Sequence, residues 1–200
     1  MISMLRRSIL APVLISLLAA CSPGGGSGAS FVNTDITGAS YGKDFRLTDH
    51  TGAARSLADY RGKVVTLFFG YVQCPDVCPT NLLNMVEVMK QLGPDADKVQ
   101  VLFMTIDPER DTQALLAEYV PAFDPRFIGL HADLPTTQAV AKDFKVFYQK
   151  QGDVKGTGYT VDHSTGTYVF DPQGRLRLYV KHGEKPDLIA ADIRKLIAGQ

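Results

Sequence analysis

An α/β fold built on parallel strands with helical crossovers is what this 200-residue sequence predicts, and three observations predict it. Two apolar runs, Val64 to Gly70 and Val99 to Ile106, are rich in β-branched and aromatic residues and carry no alternating polar face, as expected of strands buried on both sides. Between them lies an amphipathic segment of helical period. After them the pattern changes to two short strands, Thr167–Phe170 and Leu176–Val180, joined by the turn Asp171-Pro172-Gln173-Gly174, with one more helix to close the chain.

Each element has its own justification. Phe45 and Leu47 alternate with polar residues and run into Thr48-Asp49-His50-Thr51-Gly52, which is turn chemistry, so a small hairpin is expected to end near Leu57 or Tyr60. Val64–Gly70 is the first core strand. A helix follows the loop after it: Pro79 fits its first turn, and Gly93-Pro94 stops it. Leu82, Met85, Val86, Met89 and Leu92 form its apolar face, with Asn81, Asn84, Glu87 and Gln91 mainly opposite. Met85 and Met89 read as core on that stripe, not as thioether ligands. Asp111 or Thr112 caps a helix carrying Leu115, Leu116 and Tyr119; Phe127–Leu130 is a short third strand, and a helix runs on to about Phe144. Pro186 opens the last helix, with Leu188, Ile189, Ile193, Leu196 and Ile197 inward. Hairpin, β-α-β-α, β-α, β-hairpin, α is the order of a thioredoxin-like α/β fold with an N-terminal β-hairpin.

The first residues stand outside that fold. Arg6 and Arg7 precede an apolar run from Ile9 to Ala20 that is short for a bilayer span, and it ends Leu18-Ala19-Ala20-Cys21. That ending resembles the lipobox of bacterial lipoprotein signals, in which cleavage precedes the cysteine and the cysteine is lipidated. Ser22–Ser30, rich in Gly and Ser, has the composition of a flexible linker. The expected division is therefore residues 1–20 as leader, 21–38 as lipidated cysteine and tether, and 39–200 as one domain. Loss of Arg6 and Arg7 turns a neutral chain slightly acidic, and no Lys/Arg cluster marks a nucleic-acid surface.

With Cys21 assigned to the anchor, Cys74 and Cys78 are the only thiols of the domain. They lie on the loop between the first core strand and its helix, at the carboxyl end of a strand, where open α/β sheets gather their ligands. A helix N-terminus beside them favours thiolate. A disulfide across so short a loop would be a poor staple, so chemistry is the better reading. The C-x-x-x-C spacing is one residue wider than thioredoxin-type C-x-x-C and by itself leaves a redox pair, a metal site and coincidence open. The histidines narrow the choice. His50 lies in a turn, His131 and His182 at strand ends. His163, in Val161-Asp162-His163-Ser164, precedes the strand Thr167–Phe170, where thioredoxins carry a cis-proline against their cysteines; the stretch Tyr159–Thr165 has none. A histidine facing two thiols points toward a soft or borderline metal, Cu(I), Cu(II) or Zn(II), and with no third cysteine in the domain copper fits better than structural zinc.

Longer strings make the reading specific. Phe69-Gly70-Tyr71-Val72-Gln73-Cys74-Pro75-Asp76-Val77-Cys78-Pro79-Thr80-Asn81-Leu82, Asp107-Pro108-Glu109-Arg110-Asp111-Thr112 and Val161-Asp162-His163-Ser164 resemble the Sco/SenC family, from about residue 40 onward. The resemblance implies a membrane-tethered, copper-binding metallochaperone that assists the CuA centre of cytochrome c oxidase subunit II. It implies Cys74, Cys78 and His163 as ligands of one copper, Cu(I) or Cu(II), with Gln73, Asp76 and Asp162 as neighbours that tune them. Many members carry histidine where this chain has Gln73; that position is not a ligand. A copper donor or thiol reductant, a copper acceptor and a lipid anchor in the cell envelope, with the domain facing the periplasm and the cytoplasmic membrane favoured over the outer membrane, complete the implied setting. The rival is a thiol–disulfide oxidoreductase using Cys74 and Cys78 as a redox pair. A peroxidase is disfavoured because Tyr71 stands three positions before Cys74, where peroxiredoxins commonly place threonine.

Overall fold

The computed structural model describes residues 30–153, 156 and 158–200; the leader, Cys21 and residues 22–29 of the expected tether lie outside the described residues. The architecture is the α/β arrangement the sequence predicts. Strand β1 is Thr34–Asp35, β2 Leu47–Asp49, β3 Ala54–Arg55, β4 Val64–Gly70, β5 Val99–Thr105, β6 Ile128–His131, β7 Tyr148–Gln151, β8 Thr160–His163, β9 Thr167–Phe170 and β10 Leu176–Val180. The α-helices are α1 Val77–Leu92, α2 Gln113–Tyr119, α3 Leu134–Asp143 and α4 Pro186–Ile197. Among the described residues the main sheet has eight strands in the order β1-β10-β9-β4-β5-β6-β2-β3, with β4, β5 and β6 parallel and β9 antiparallel to β4. This is the thioredoxin-like fold.

β4 and β5 sit at its centre, and every residue of both is buried, which is why they read as unbroken apolar runs. Their register is in step from Val64 opposite Val99 to Gly70 opposite Thr105, so both strands deliver their carboxyl ends to the same edge of the sheet. Helix α1 packs beside α4, and Leu82, Met85, Met89 and Leu92 are core, the two methionines included. Gly93 ends α1 at φ +59°, a conformation in which a Cβ would be strained.

Four local readings change and one, the cap of α2, narrows to one of its two candidates. Asn81 is buried among the apolar residues of α1, where its amide donates to the Thr167 hydroxyl at 3.2 Å. Thr112, not Asp111, caps α2, accepting from the Leu115 N–H at 3.2 Å; Asp111 turns inward to accept from Thr105 Oγ1 at 2.6 Å and the Val72 N–H at 3.0 Å. Leu188 is only half-buried, while Asp192 on the same helix is fully buried. Residues 160–163, where the sequence assigns no strand, form β8, which pairs with β7 in a separate two-stranded sheet, Tyr148 opposite His163. Finally, β1 falls within the stretch assigned to the tether: Thr34 and Asp35 pair with Tyr179 and Leu178, so the packed chain extends at least to residue 32.

Candidate metal centre

β4 ends at Gly70, whose carbonyl accepts from the Ile106 N–H at 2.9 Å, and the chain then loops through Cys74 into α1. A side chain at Gly70 would have no room: an added Cβ would lie 2.8 Å from Cys78 Sγ and equally close to the rings of Phe68 and Phe103. Cys78 falls in the first turn of α1 and is wholly inaccessible, whereas Cys74, outside the helix, is partly exposed. Asp76 occupies the N-cap position without making a side-chain cap. The cap is sulfur instead, because the Cys78 N–H donates to Cys74 Sγ at 3.4 Å, placing Cys74 against the positive end of the helix dipole.

His163 closes the site from β8. Its Nε2 lies 3.6 Å from Cys78 Sγ. Its Nδ1 is 2.8 Å from the Ser164 carbonyl oxygen, which can only accept, so Nδ1 carries the proton and Nε2 turns a lone pair toward the sulfurs. The rings of Phe68 and Tyr71 stand edge-on to the imidazole at centroid distances of 5.9 and 6.0 Å. Ser164 is itself fixed to the start of the hairpin, its N–H donating to the Phe147 carbonyl and its hydroxyl accepting from the Phe147 N–H.

One Cys74 Sγ, one Cys78 Sγ and one imidazole nitrogen thus lie within 4.8 Å of one another, the only such group of three among the described residues. Cys74 and His163 border a groove of about 440 Å³ lined also by Tyr71, Pro75, Val77, Val161 and Thr165, with Cys78 buried behind them. His50 and His131 stand elsewhere, His50 accepting from the Gly129 N–H at 3.0 Å and His131 closing β6; His182 is exposed beyond β10. Of the neighbours expected to tune the site, Gln73 accepts from Arg110 at 3.1 Å, Asp162 accepts from Gln151 at 3.0 Å, and the Asp76 carboxylate takes the Thr80 hydroxyl. Asp76 reaches Cys74 through its backbone N–H alone. Phe68 was legible as part of the first apolar run, but nothing in the sequence marks it or Tyr71 as a wall of the imidazole.

The two thiols are electrostatically unequal. The hydrogen bond from Cys78, then the N–H groups of Asp76 and Cys78, hold the Cys74 thiol down to about 4 against the opposing push of burial. Cys78 is pushed far up, first by facing the Cys74 sulfur and then by its burial. The reduced pair therefore carries one negative charge near neutral pH, on Cys74, and a cation taken by both sulfurs must displace the Cys78 proton. Alkylation of the reduced protein by iodoacetamide is expected at Cys74 ahead of Cys78, with a pH–rate midpoint near 4 instead of 8 to 9. The midpoint is the diagnostic, since a thiolate of low basicity is also a weaker nucleophile and its absolute rate rises little. A midpoint above 7, measured by mass spectrometry of the labelled peptides, would contradict the assignment.

A family model described as SCO1/SenC matches residues 33–198. The mitochondrial SCO2 homolog of Bos taurus is 39% identical over 157 residues, covering 78% of this chain and 59% of that protein. The chain spans about three fifths of the length of the mammalian SCO2 homologs it matches. Among solved structures, ScoI of Bradyrhizobium japonicum with copper bound is 38% identical with a TM-score of 0.70, covering 76% of this chain and 97% of that one. Apo Sco1 of Thermus thermophilus is 37% identical with a TM-score of 0.75, covering 86% and 99%. With the match running from the residue before β1 to the end of α4, and the quoted strings falling on the loop, the β5–α2 turn and the hairpin that make the site, the chain belongs to the SCO1/SenC family.

Proposed function

We propose that the protein is a copper metallochaperone that takes one copper per chain on Cys74, Cys78 and His163 and passes it to, or keeps reduced, the CuA centre of cytochrome c oxidase subunit II. The observation that carries the reading is the convergence of two sulfurs and an imidazole lone pair within 4.8 Å from elements 85 residues apart. The donor set fits the metal. Two thiolates suit Cu(I), and the added imidazole suits Cu(II). Bradyrhizobium ScoI, solved with copper bound, supports the choice of metal.

In this reading copper is cargo. Cys74, already anionic and partly exposed, meets it first; Cys78 gives up its proton as the second sulfur engages, and His163 supplies nitrogen from the far wall. Release to an acceptor is ligand exchange along the groove. Oxidation of the pair to a Cys74–Cys78 disulfide, with two electrons and the one Cys78 proton passing to a partner oxidant, removes two of three ligands at once, so loading requires a thiol reductant as well as a copper donor. The test is titration of the reduced domain with Cu(I) against a chelator of known affinity. One equivalent is expected, and a protein that binds none would overturn the proposal.

The unequal thiols favour one alternative, a thiol–disulfide oxidoreductase in which Cys74 attacks a target disulfide and Cys78 resolves the mixed disulfide. Ordinary thioredoxin-like turnover of a small disulfide, without copper binding, would select it.

The setting we propose is the cell envelope, with Cys21 lipidated, the domain facing the periplasm and the cytoplasmic membrane as its support. Among the described residues no helix is long and apolar enough to cross a membrane, so attachment would rest on residues before the fold. Cys21→Ser is expected to release the protein into the soluble fraction or leave an uncut precursor. An unmodified mature N-terminus at another residue, found by mass spectrometry, would contradict lipidation.

A further inference from the structure

We infer that Arg110, locked in place by Asp107, is a positioning residue for the metal site: it pins the β7–β8 hairpin, and His163 with it, against the thiol loop. The inference rests on the copper-ligand reading above and concerns what holds the third ligand in place.

The need for a clamp follows from topology. The cysteines belong to the end of β4, the centre of the main sheet, but His163 belongs to a two-stranded ribbon that shares no ladder with that sheet. Such a ribbon is marginal on its own in water. The 3.6 Å approach of Nε2 to Cys78 Sγ is therefore set by side chains between the hairpin and the sheet.

Arg110 makes that connection at several points. Its guanidinium carbon lies 3.5 Å from the centre of the Tyr159 ring, immediately before β8, and Nη1 donates to the Tyr159 carbonyl at 2.8 Å. The same nitrogen donates to Gln73 Oε1 at 3.1 Å, the residue next to Cys74. Nε pairs with Asp107, whose second carboxylate oxygen accepts the Tyr159 hydroxyl at 2.7 Å. Asp107 is fully buried and the Arg110 side chain 7% exposed, so this is an interior ion pair and not a solvated surface contact. The flanking residues extend the grip. Glu109 pairs with Lys150 on β7, and Asp111 accepts from the Val72 N–H on the thiol loop at 3.0 Å. One pentapeptide thus holds both halves of the site. Only a planar guanidinium can stack on a ring while donating in three directions, so lysine cannot replace it.

The test compares the wild type with Arg110→Lys, Tyr159→Phe, His163→Ala and Arg110→Lys/His163→Ala, measuring Cu(II) retention, Cu(I) affinity and the affinity for Zn(II), a redox-inert ion that takes the same donors. Groups that orient a metal-binding histidine commonly change affinity about 10–100-fold. Arg110→Lys is expected to lower Zn(II) affinity by about that factor. Cu(I), held by two sulfurs, should stay within about 3-fold, and the absorption and electron paramagnetic resonance of bound Cu(II) should move toward those of a site short of nitrogen. Tyr159→Phe, which keeps the ring and removes only the hydroxyl on Asp107, should move the same way by a smaller factor and stands in if Arg110→Lys does not fold. In the His163→Ala background Arg110→Lys should cost Zn(II) nothing further, because the group it positions is gone. An equal loss with and without His163, an equal loss of Cu(I), or wild-type Zn(II) affinity in both Arg110→Lys and Tyr159→Phe would each overturn the clamp. If His163→Ala itself keeps full Cu(II) and Zn(II) binding, the ligand assignment fails first and the clamp falls with it; if His163→Ala loses them and both clamp variants do not, the clamp alone is wrong.

Discussion

His163→Ala is expected to abolish Cu(II) retention while leaving the dithiol a working redox pair. In the proposed site the imidazole would supply the nitrogen that Cu(II) favours, and without it the metal would meet two thiolates it can oxidise. Losing a ligand should exceed the 10–100-fold commonly lost with an outer partner, so a drop beyond about 100-fold in Cu(II) affinity is expected. Cu(I) can persist on Cys74 and Cys78. Thiol–disulfide exchange needs an attacking thiolate and a leaving thiol, and the main support of the Cys74 thiolate is the hydrogen bond from Cys78, followed by the N–H groups of Asp76 and Cys78. The dithiol potential should therefore move by no more than about 30 mV, a tenfold change in the two-electron equilibrium. Measuring both metal states and the potential on one variant decides the matter. Intact Cu(II) binding with a potential shifted by many tens of millivolts would make His163 a tuner of a redox pair and favour the oxidoreductase.

The largest loss of Cu(I) is expected from Cys74→Ser combined with Cys78→Ser. Hydroxyl groups are hard, weakly acidic donors, and removing both sulfurs leaves a lone imidazole. If each sulfur contributes at least the upper outer-partner factor, affinity falls by about 10⁴-fold or more. A competition titration showing stoichiometric Cu(I) on this variant would end the chaperone proposal. Because Cys78 is fully buried, a hydroxyl there also loses apolar packing, and thermal unfolding of the metal-free variant separates that cost from the metal's.

The parts of the fold legible in the sequence are those whose stabilising partners produce a local pattern. β4 and β5 announce themselves because burial on both faces forces continuous apolar runs. The turn after β9 is written as Asp171-Pro172-Gln173-Gly174, and Gly174 takes φ +69°. The thiol loop was legible for the same reason, lying between a strand and a helix that each carry a clear signal. What stayed hidden depends on distant partners. β7 reads Tyr-Gln-Lys-Gln, half of it exposed, with no face to reveal a strand. Arg110 and Asp107 look like turn residues until Tyr159, about fifty positions on, covers them. Asp192 breaks the apolar face of α4 for a reason 160 residues away, since it accepts the N–H groups of Val32 and Asn33.

That last contact has a mechanical consequence. The Asp192 carboxylate takes the Val32 N–H at 2.9 Å, the Asn33 N–H at 2.8 Å and the Asn33 amide at 2.9 Å, and Lys195 holds the Ser30 carbonyl at 2.7 Å. A pull arriving from the N-terminal side is thus received by α4 and by the β1–β10 edge before it can enter the sheet. Two strands, β10 and β9, stand between that edge and β4, three inter-strand spacings or roughly 14 Å in all. Along the ladder such a load enters at the rim of the sheet, and its shorter way to the thiols is through α4 into α1, whose first turn carries Cys78.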